Sequence, residues 1–302
     1  MRSLPLDAAL AQVTELVEAG YREIVVTGIE IASWGVDLDK TGAMRLPQLL
    51  DAICRAAGNV RIRLGSLEPR IIDESFCRLL AGHRNLCPHF HLSMQSGSDS
   101  VLARMHRRYD TARYLESVRL LKRHFPGCAV TTDMIVGFPG ETEAEFAESL
   151  DFIHTCGFAS MHVFPYSRRP GTPADKLPGQ LGNAVKEARS AAAIAVAAER
   201  NAAFRADMIG TVQAVLFEEA QGTSHPSPED GETDPSTPLR SAQDDAPLPA
   251  SDTADTPLWT GHAPNSIRVY APGIALHNRV LPVRITALFE DGVRGEIAEI
   301  EA

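Results

Sequence analysis

The order of apolar and polar positions predicts that the chain begins with a helix rather than a strand. Apolar residues recur at helical spacing from Leu6 to Val17, and this pattern stops at Gly20. The next segment, "REIVVTGI", is a β-rich run without polar alternation and predicts a buried strand. An amphipathic helix therefore comes first, without a strand before it.

Further β-rich runs follow, and a helical pattern comes after each of them. The runs are "VRIRLGS" (60–66), "PHFHLS" (88–93), "CAVTTDMIV" (128–136) and "ASMHVFPYS" (159–167). Helical patterns lie near 45–57, 73–81, 98–104, 111–124 and 142–156. This alternation predicts an α/β fold with parallel strands joined by right-handed crossovers. Two architectures fit the pattern, a partial TIM-like barrel and an open doubly wound sheet.

The hydrophobic period changes to two after an Ala-rich helix predicted at 183–208. The segments "GTVQAVLFE", "NSIRVYAP", "RVLPVRITALFE" and "VRGEIAEIE" are typical of short antiparallel strands. Such strands are sufficient for a small β-barrel. We therefore predict a first domain over 1–182, a connecting helix over 183–208 and a second domain over 209–302.

An acidic segment at 220–257 interrupts the second domain. It contains seven prolines, eight acidic residues and one basic residue, Arg240, but almost no large apolar side chain. Because such a segment buries too little surface to offset the entropy of ordering it, we predict a disordered insertion. Its net charge of −7 accounts for most of the chain's −10, so the remainder stays compatible with a nucleic-acid partner.

The cysteine spacing favours neither a disulfide framework nor a local metal site. No CxxC or CxxxCxxC occurs among Cys54, Cys77, Cys87, Cys128 and Cys156. We predict that each is a small buried side chain. No apolar run approaches the roughly 20 residues of a membrane span, and the first residues lack the apolar centre of a signal peptide. We therefore expect a cytoplasmic protein with no membrane partner.

Polar and glycine-rich segments follow directly after the predicted strands, where a βα protein places its site. They are "TGIE" (27–30), "GSLEP" (65–69), "SMQSGSD" (93–99), "DMIVGFPGET" (133–142) and "PYSRRPGT" (165–172). Gly, Ser, Gln and Glu at such positions offer close backbone approach and hydrogen bonds to a polar small molecule.

The segment "TTDMIVGFPGETEAEF" (131–146) predicts a strand, a Pro-Gly turn and a capped helix. Thr142 and Glu145 form a capping box. The carboxylate of Glu141 beside the helix start would repel a phosphate. An adenine or an amino group, bound by the backbone and this carboxylate, fits better. On spacing alone, an ordinary structural unit of an α/β protein remains the alternative to a cofactor wall.

As an ordered series, the strand ends resemble the radical SAM methylthiotransferases that modify tRNA adenosine next to the anticodon. The resemblance is carried by "VEAGYREIVVTGIEIASWGVDL" (17–38), "RIRLGSLEP" (61–69), "HFHLSMQSGSDSVLARMHRRYD" (89–110), "TTDMIVGFPGETEAEF" and "HVFPYSRRPGTPA" (162–174). It is closest to the branch that methylthiolates threonylcarbamoyladenosine, and it covers essentially the whole chain. It implies a partial (βα) radical SAM barrel lacking its first strand, followed by an all-β TRAM-like barrel that binds tRNA.

The resemblance also implies which side chains contact S-adenosylmethionine (SAM). Thr27, Gly28 and Glu30 would lie at the methionine amino group, and Ser66 and Glu68 near the ribose. Gln95 and Ser96 would lie at the strand end that follows. Asp133, Ile135 and Gly137 would lie against the adenine, and Tyr166 and Arg168 would close the opposite side of SAM. The implied tRNA contacts are Arg268, Tyr270, Arg279 and Arg284. For each residue, an exposed polar group without a ligand remains the alternative.

One part of the family pattern has no counterpart in this sequence. Family members carry an additional N-terminal domain and a CxxxCxxC that holds the 4Fe-4S cluster, which reductively cleaves SAM. Without these thiolates we expect no catalytic or metal-ligating residue here, weak or lost SAM binding, and an inactive chain. We expect a mis-called start, a degenerate remnant, or a split gene with a separate chain that carries the N-terminal half. Two rival hypotheses are a non-catalytic tRNA-binding or scaffold remnant and a non-radical enzyme acting on another small molecule.

Overall fold

The first part of the chain forms alternating helices and strands in a computed structural model, which describes residues 2–221 and 256–299. The chain begins with α1 (Leu6–Glu18), β1 (Glu23–Val26), α2 (Leu46–Ala56), β2 (Arg61–Leu64) and β3 (Ser66–Leu67). It continues with α3 (Glu74–Leu80), β4 (His89–Leu92), α4 (Asp99–Arg104), α5 (Thr111–His124), β5 (Ala129–Val136), α6 (Glu143–Cys156) and β6 (Ser160–Pro165). The predicted helix-first order is confirmed.

All strands from β1 to β6 are parallel and follow one another in chain order. β1 pairs with β2, while β3, β4, β5 and β6 pair in series. Ile62 of β2 also bonds to the segment before β4, because its N–H donates to Asn85 O and its carbonyl accepts from Cys87 N, both at 2.8 Å. Within the described strands this order shows no reversal, which a doubly wound sheet requires.

One face of the sheet is covered by helices, and the other carries polar side chains. Along β5, Thr132 and Met134 are buried among the helices, whereas Thr131 and Asp133 are partly exposed on the opposite face. The period of two therefore separates a hydrophobic core from an open polar surface. Tyr114 of α5 is fully buried in this core, and its hydroxyl donates to Leu92 O at 2.7 Å.

A long helix, α7 (Asn183–Ala206), leads to a closed five-stranded barrel. Its strands are β7 (Val212–Ala220), β8 (Leu258–His262), β9 (Arg268–Pro272), β10 (Val280–Phe289) and β11 (Gly292–Ile297). The predicted β-barrel is confirmed, but antiparallel pairing throughout is wrong, since β9 and β11 are parallel. A ring with an odd number of strands cannot alternate direction at every pairing, so at least one parallel pair is unavoidable.

Strand β8 is missing from the sequence prediction. It is short, comes directly after the acidic segment and contains Gly261, whose added Cβ would lie 2.2 Å from Leu216 O on β7. A glycine at a close approach of two strands weakens the strand pattern in the sequence while allowing the pairing itself. The predicted insertion at 220–257 connects β7 to β8 and lies almost wholly outside the described residues.

The buried apolar residues form two separate groups, one between the parallel sheet and its helices and one inside the barrel. The larger includes Phe76, Phe90 and Phe158, and the smaller includes Phe217 and Val283. The predicted domain limits at 182 and 209 stay a prediction. In the described ranges, no helix combines the length and the apolar character needed to cross a bilayer.

Candidate functional site

Three of the predicted SAM residues lie toward the carboxyl ends of parallel strands: Thr27 directly follows β1, Gln95 follows β4, and Asp133 lies in the second half of β5. Thr27 lies against the backbone after β2, since a Cβ added to Gly65 would be 2.6 Å from Thr27 Oγ1. Gln95 joins the end of β5, because its N–H donates to Asp133 O and its carbonyl accepts from Ile135 N, both at 2.9 Å. Parallel strands present their carboxyl ends on the same side, and these segments follow or end such strands.

Gln95 has a backbone conformation that favours glycine. Its φ is +68°, in the left-handed region that residues with a Cβ rarely adopt. The two hydrogen bonds to the β5 backbone hold it there, and such conformations often occur at functional sites. The chain therefore leaves β4 by a tight turn that keeps Gln95 beside Asp133.

A line of hydrogen-bonded polar side chains crosses the open face of the sheet below these strand ends. His91 Nε2 lies 3.2 Å from Asp133 Oδ2, and its Nδ1 lies 3.1 Å from Thr131 Oγ1. Thr131 Oγ1 lies 3.3 Å from His89 Nε2. Burial, assisted by the nearby Arg63, lowers the pKa of His89 to about 4, so this imidazole is neutral at pH 7.

The carboxylate of Asp133 is therefore oriented by His91 and remains 28% exposed. It is an acceptor that a ligand's amino or hydroxyl group can reach from the open side. His89 and His91 are not among the predicted site residues, although their alternation in "HFHL" places both on one face of β4.

The turn after β5 is built around a buried carboxylate. Gly137 has φ +72°, and its N–H donates to Glu141 Oε2 at 2.7 Å. Arg189 of α7 donates through Nη1 to the same oxygen and to Glu141 O, at 2.7 and 3.0 Å. Burial raises the pKa of Glu141 above its usual range, although Gly137 and Arg189 act in the opposite direction. The structure thus gives this carboxylate to the turn, not to the expected adenine or amino group.

The predicted capping box at the start of α6 is confirmed. Thr142 Oγ1 accepts from Glu145 N at 3.3 Å, and Glu145 Oε2 accepts from Thr142 N at 2.8 Å. The same carboxylate receives both Nη atoms of Arg104 at 2.8 Å. The Arg104 guanidinium, with the Ser100 hydroxyl, holds the pKa of Glu145 well below its usual range. The helix start is therefore fixed by groups from α4 as well as by its own cap.

Two predicted SAM residues already have protein partners. Ser96 is fully buried, and its hydroxyl lies 3.3 Å from Ser149 Oγ on α6. The carboxylate of Glu68 forms an ion pair with Arg70, whose Nη2 lies 3.1 Å from Oε2. Ser66 next to it is exposed. The geometry of Ser96 is that of a side chain supporting the loop rather than facing its open side.

Tyr166 and Arg168, which were predicted on the opposite side of SAM, differ from each other in their surroundings. The Tyr166 hydroxyl is buried and has no hydrogen-bond partner among the described residues. Its ring lies under Lys186 Nζ, 5.2 Å from the centroid, and its carbonyl accepts from the same ammonium at 2.8 Å. Arg168 is more than half exposed and pairs with Asp175 at 2.9 Å. Tyr166 therefore has a hydroxyl in the protein interior that no described residue pairs with, whereas Arg168 already holds a carboxylate.

Comparison with known proteins identifies the superfamily. A family profile described as "Radical SAM superfamily" matches residues 1–153, just over half of the chain. The chain belongs to the radical SAM superfamily.

The curated relatives of this radical SAM chain include proteins named as tRNA methylthiotransferases. Threonylcarbamoyladenosine tRNA methylthiotransferase MtaB of Thermotoga maritima is 36% identical over 218 residues, covering 72% of this chain and 49% of the relative. tRNA-2-methylthio-N(6)-dimethylallyladenosine synthase of Oleidesulfovibrio alaskensis is 35% identical over 294 residues, covering 96% of this chain and 60% of the relative. The predicted resemblance is confirmed, and the chain spans about half the length of the curated relatives it matches.

Among solved structures, coproporphyrinogen III oxidase (HemN) from Escherichia coli, described as a radical SAM enzyme, aligns with a TM-score of 0.48. Its identity to this radical SAM chain is 17%, and the alignment covers 64% of this chain and 44% of that chain.

The cysteines of this radical SAM chain do not fit an iron–sulfur cluster. All of them are buried, as predicted, and they lie in separate segments of the fold. Burial raises the pKa of Cys54, Cys128 and Cys156 to about 12 and that of Cys77 and Cys87 to about 11. Because the thiolate is the ligand form, such thiols are poor metal ligands. Over the described ranges, no three His, Cys, Asp or Glu side chains come together to hold a metal ion.

The predicted RNA contacts of the radical SAM chain lie on the barrel and differ in exposure. Arg279 and Arg284 are exposed. Arg268 Nη1 pairs with Asp291 at 2.8 Å. Tyr270 is only 2% exposed, and its hydroxyl donates to Asp291 Oδ1 at 2.6 Å. A ring buried in this way is not a stacking platform, so the geometry supports the arginines but not Tyr270.

Proposed function

We propose that this chain is the C-terminal portion of a SAM-dependent tRNA methylthiotransferase that modifies an already modified adenosine next to the anticodon. The observation that carries the proposal is that Thr27, Gln95 and Asp133 all lie toward the carboxyl ends of parallel strands, with Gln95 bonded to the backbone of Asp133. These residues belong to the segments in which the chain resembles methylthiotransferases. The names of the relatives supply the tRNA substrate class.

We assign β1 to β6 to a partial radical SAM barrel, because their parallel order follows the chain without reversal. The closed five-stranded barrel is assigned as a TRAM-like RNA-binding module. With these assignments, the first domain covers 1–182 and the second covers 209–302, joined by the helix at 183–208.

The strand-end residues have chemistry that suits SAM. Glu30 and the backbone of Gly28 lie on an exposed loop, where a carboxylate accepts hydrogen bonds from the methionine ammonium group. Asp133 accepts from an exocyclic amino group, and the half-exposed side chain of Ile135 offers an apolar surface to the adenine ring. Gly137 contributes space for close approach rather than a donor, since its N–H is bonded to Glu141.

When bound, the cluster of the superfamily supplies the electron that cleaves SAM, and its ligands would have to come from outside the residues present here. We therefore propose that this chain alone is inactive and that a separate chain carries the N-terminal half. The rival proposal is a non-catalytic tRNA-binding or scaffold remnant, which the buried, high-pKa cysteines also allow.

SAM binding and SAM cleavage test the two proposals separately. Equilibrium dialysis with labelled SAM should show weak binding to the wild type and weaker binding to Asp133→Asn. Anaerobic iron and sulfide reconstitution followed by a reductant should yield no 5′-deoxyadenosine. Product formation by this chain would contradict the proposed inactivity, and tRNA binding without any SAM binding would favour the remnant.

The barrel arginines test the tRNA assignment. Replacing Arg279 and Arg284 by alanine should weaken tRNA binding in a gel shift and reduce its salt dependence by about one unit of log–log slope for each arginine. Equal affinity of the double variant and the wild type would contradict RNA binding by this face.

A further inference from the structure

A cavity lies between the parallel sheet and the barrel, lined by residues other than the proposed SAM residues. Its volume is about 480 Å³. The sheet side includes Arg61 and Asn85, and the barrel side includes Ala214, Pro264 and Val280. Arg61 begins β2 and Asn85 precedes β4, so the cavity lies at the amino ends of these strands. The proposed SAM residues follow the carboxyl ends, and the cavity is therefore a separate site.

Three guanidinium groups line this cavity, those of Arg55, Arg61 and Arg84. Arg55 lies in the last turn of α2 and shares Asp51 with His83. Arg84 is exposed. Among the described residues, no carboxylate forms an ion pair with Arg84. In a chain with a net charge of −10, this is a locally basic surface.

Arg61 is the buried member of the set, with a side chain only 9% exposed. Its Nη1 donates to Ala214 O at 2.9 Å and to His262 O at 3.2 Å, so it joins the sheet to the barrel. Its Nη2 lies 2.7 Å from Glu23 Oε2, but Glu23 also pairs with Arg63 at 2.6 Å. One carboxylate thus serves two guanidinium groups, and the local charge stays positive.

The Nε of Arg61 is buried without a hydrogen-bond partner among the described residues. A buried donor that lacks an acceptor is unfavourable, and native proteins rarely leave one without a ligand or a water. Arg61 is one of the residues that line the cavity, so an anion bound there would lie beside this buried positive charge. A ligand that suits this arginine-lined cavity is an anion that accepts hydrogen bonds from several N–H groups at once.

We propose that this cavity binds a phosphate group of the RNA backbone. Guanidinium groups match phosphate in shape and charge, and their contacts position a nucleic acid without reading its sequence. Exposed Arg279 directly precedes cavity residue Val280, so the basic surface continues onto the barrel. The inference rests on the proposed tRNA partner and adds a second contact, at the junction of sheet and barrel.

The first test compares tRNA binding across salt concentrations for the double variant Arg55→Ala, Arg84→Ala. Both side chains are exposed, so the fold should persist, and thermal melting verifies this. The double variant should lower the log–log salt slope by about two, one for each arginine. Arg78→Ala is the matched control, since Arg78 also pairs with an acidic residue four positions earlier and is 74% exposed, against 72% for Arg55. An unchanged slope in the double variant overturns the proposal.

The second test uses inorganic phosphate, which does not depend on tRNA recognition. Titration should shift the NMR signal of the Arg61 Nε–H in the wild type, and less in the double variant. Absence of this shift overturns the cavity as a phosphate site, whether or not tRNA binds. A phosphate shift in a protein that does not bind tRNA overturns the RNA backbone as the source of the phosphate and also contradicts the proposed function.

Discussion

Nη1 of Arg189 lies 2.7 Å from Oε2 of Glu141, and the two side chains are 6% and 0% exposed. This pair joins α7 to the turn after β5, because the N–H of Gly137 donates to the same oxygen. The turn after β5, which carries Gly137 of the proposed adenine site, is therefore held by an arginine 48 residues after Glu141 in the chain.

Replacing Arg189 by methionine should destabilise the fold strongly. The carboxylate of Glu141 would stay buried without its partner, which typically costs about 3–5 kcal/mol. Urea unfolding at pH 7 measures the loss. Arg189 also pairs with the exposed Glu143, so Glu143→Gln is a suitable control and should change stability by less than about 0.5 kcal/mol. Equal loss in both variants would show that burial of the Glu141 pair is not the cause.

The pH dependence of Glu141 has a definite sign. Burial raises its pKa above the ordinary value of 4.5, so the folded state favours the protonated form. Its contribution to stability is therefore fully present below pH 4.5 and is lost as the pH rises through the folded pKa. In Arg189→Met this loss should be larger, since the positive charge that opposes it is gone. Urea unfolding between pH 5 and 8 tests this, and a pH-independent difference between variant and wild type would contradict it.

Glu145 should show the opposite pH dependence. Arg104 and the Ser100 hydroxyl lower its pKa below the ordinary value of 4.5, so its stabilising contribution is present above that pH and lost as the pH falls below it. Glu145→Gln should reduce stability at pH 7 by about 1 kcal/mol, because it removes the charge that pairs with Arg104, although glutamine can still accept from Thr142 N. It should also flatten the acid side of the stability curve. Asp151→Asn, exposed on the same helix, should leave that side unchanged.

The sequence predicts those parts of the fold that depend on local patterns. The capping box of Thr142 and Glu145 is recognisable because its partners are three residues apart, and β5 because its alternation is long. The Glu141 carboxylate was expected to face a ligand. Its partner is far along the chain in α7, whose Ala-rich sequence gives no sign that Arg189 points inward.

In the candidate site too, features set by local patterns are predictable and contacts between distant parts of the chain are not. The strand ends carry Thr27 and Asp133 to one edge because parallel strands present their carboxyl ends together. Tyr270 is buried, and its hydroxyl donates to Asp291, which lies in the turn between β10 and β11. No periodicity within β9 indicates that contact, so the stacking role expected from residue type was not supported.

Glu23 should be essential for the junction between sheet and barrel. Burial alone would raise its pKa, but Arg63 and Arg61 lower it below the ordinary value. Glu23→Gln leaves both buried guanidinium groups without a counter-charge and should cost about 3–5 kcal/mol in urea unfolding. Exposed Arg22, next to it in the chain, gives the control Arg22→Ala, with an expected change below about 0.5 kcal/mol. A Glu23→Gln loss as small as that of the control would contradict a structural role for this ion pair.

The contact between Gly65 and Thr27 connects packing to SAM binding. A Cβ at Gly65 would lie 2.6 Å from Thr27 Oγ1, so Gly65→Ala should displace Thr27 and cost about 1–3 kcal/mol, as overpacking does. The double variant Thr27→Ala, Gly65→Ala removes the hydroxyl that clashes and should recover part of this stability. Gly82→Ala is the control, since a Cβ there meets nothing within 4 Å.

SAM affinity then separates packing from ligand contact at the same position. If Thr27 touches the methionine end of SAM, the double variant should recover stability but not SAM binding, because the hydroxyl is missing. Thermal unfolding and equilibrium dialysis on the same samples provide the two measurements. Recovery of SAM affinity together with stability would show that Thr27 only fills space beside Gly65, and it would remove Thr27 from the proposed SAM site.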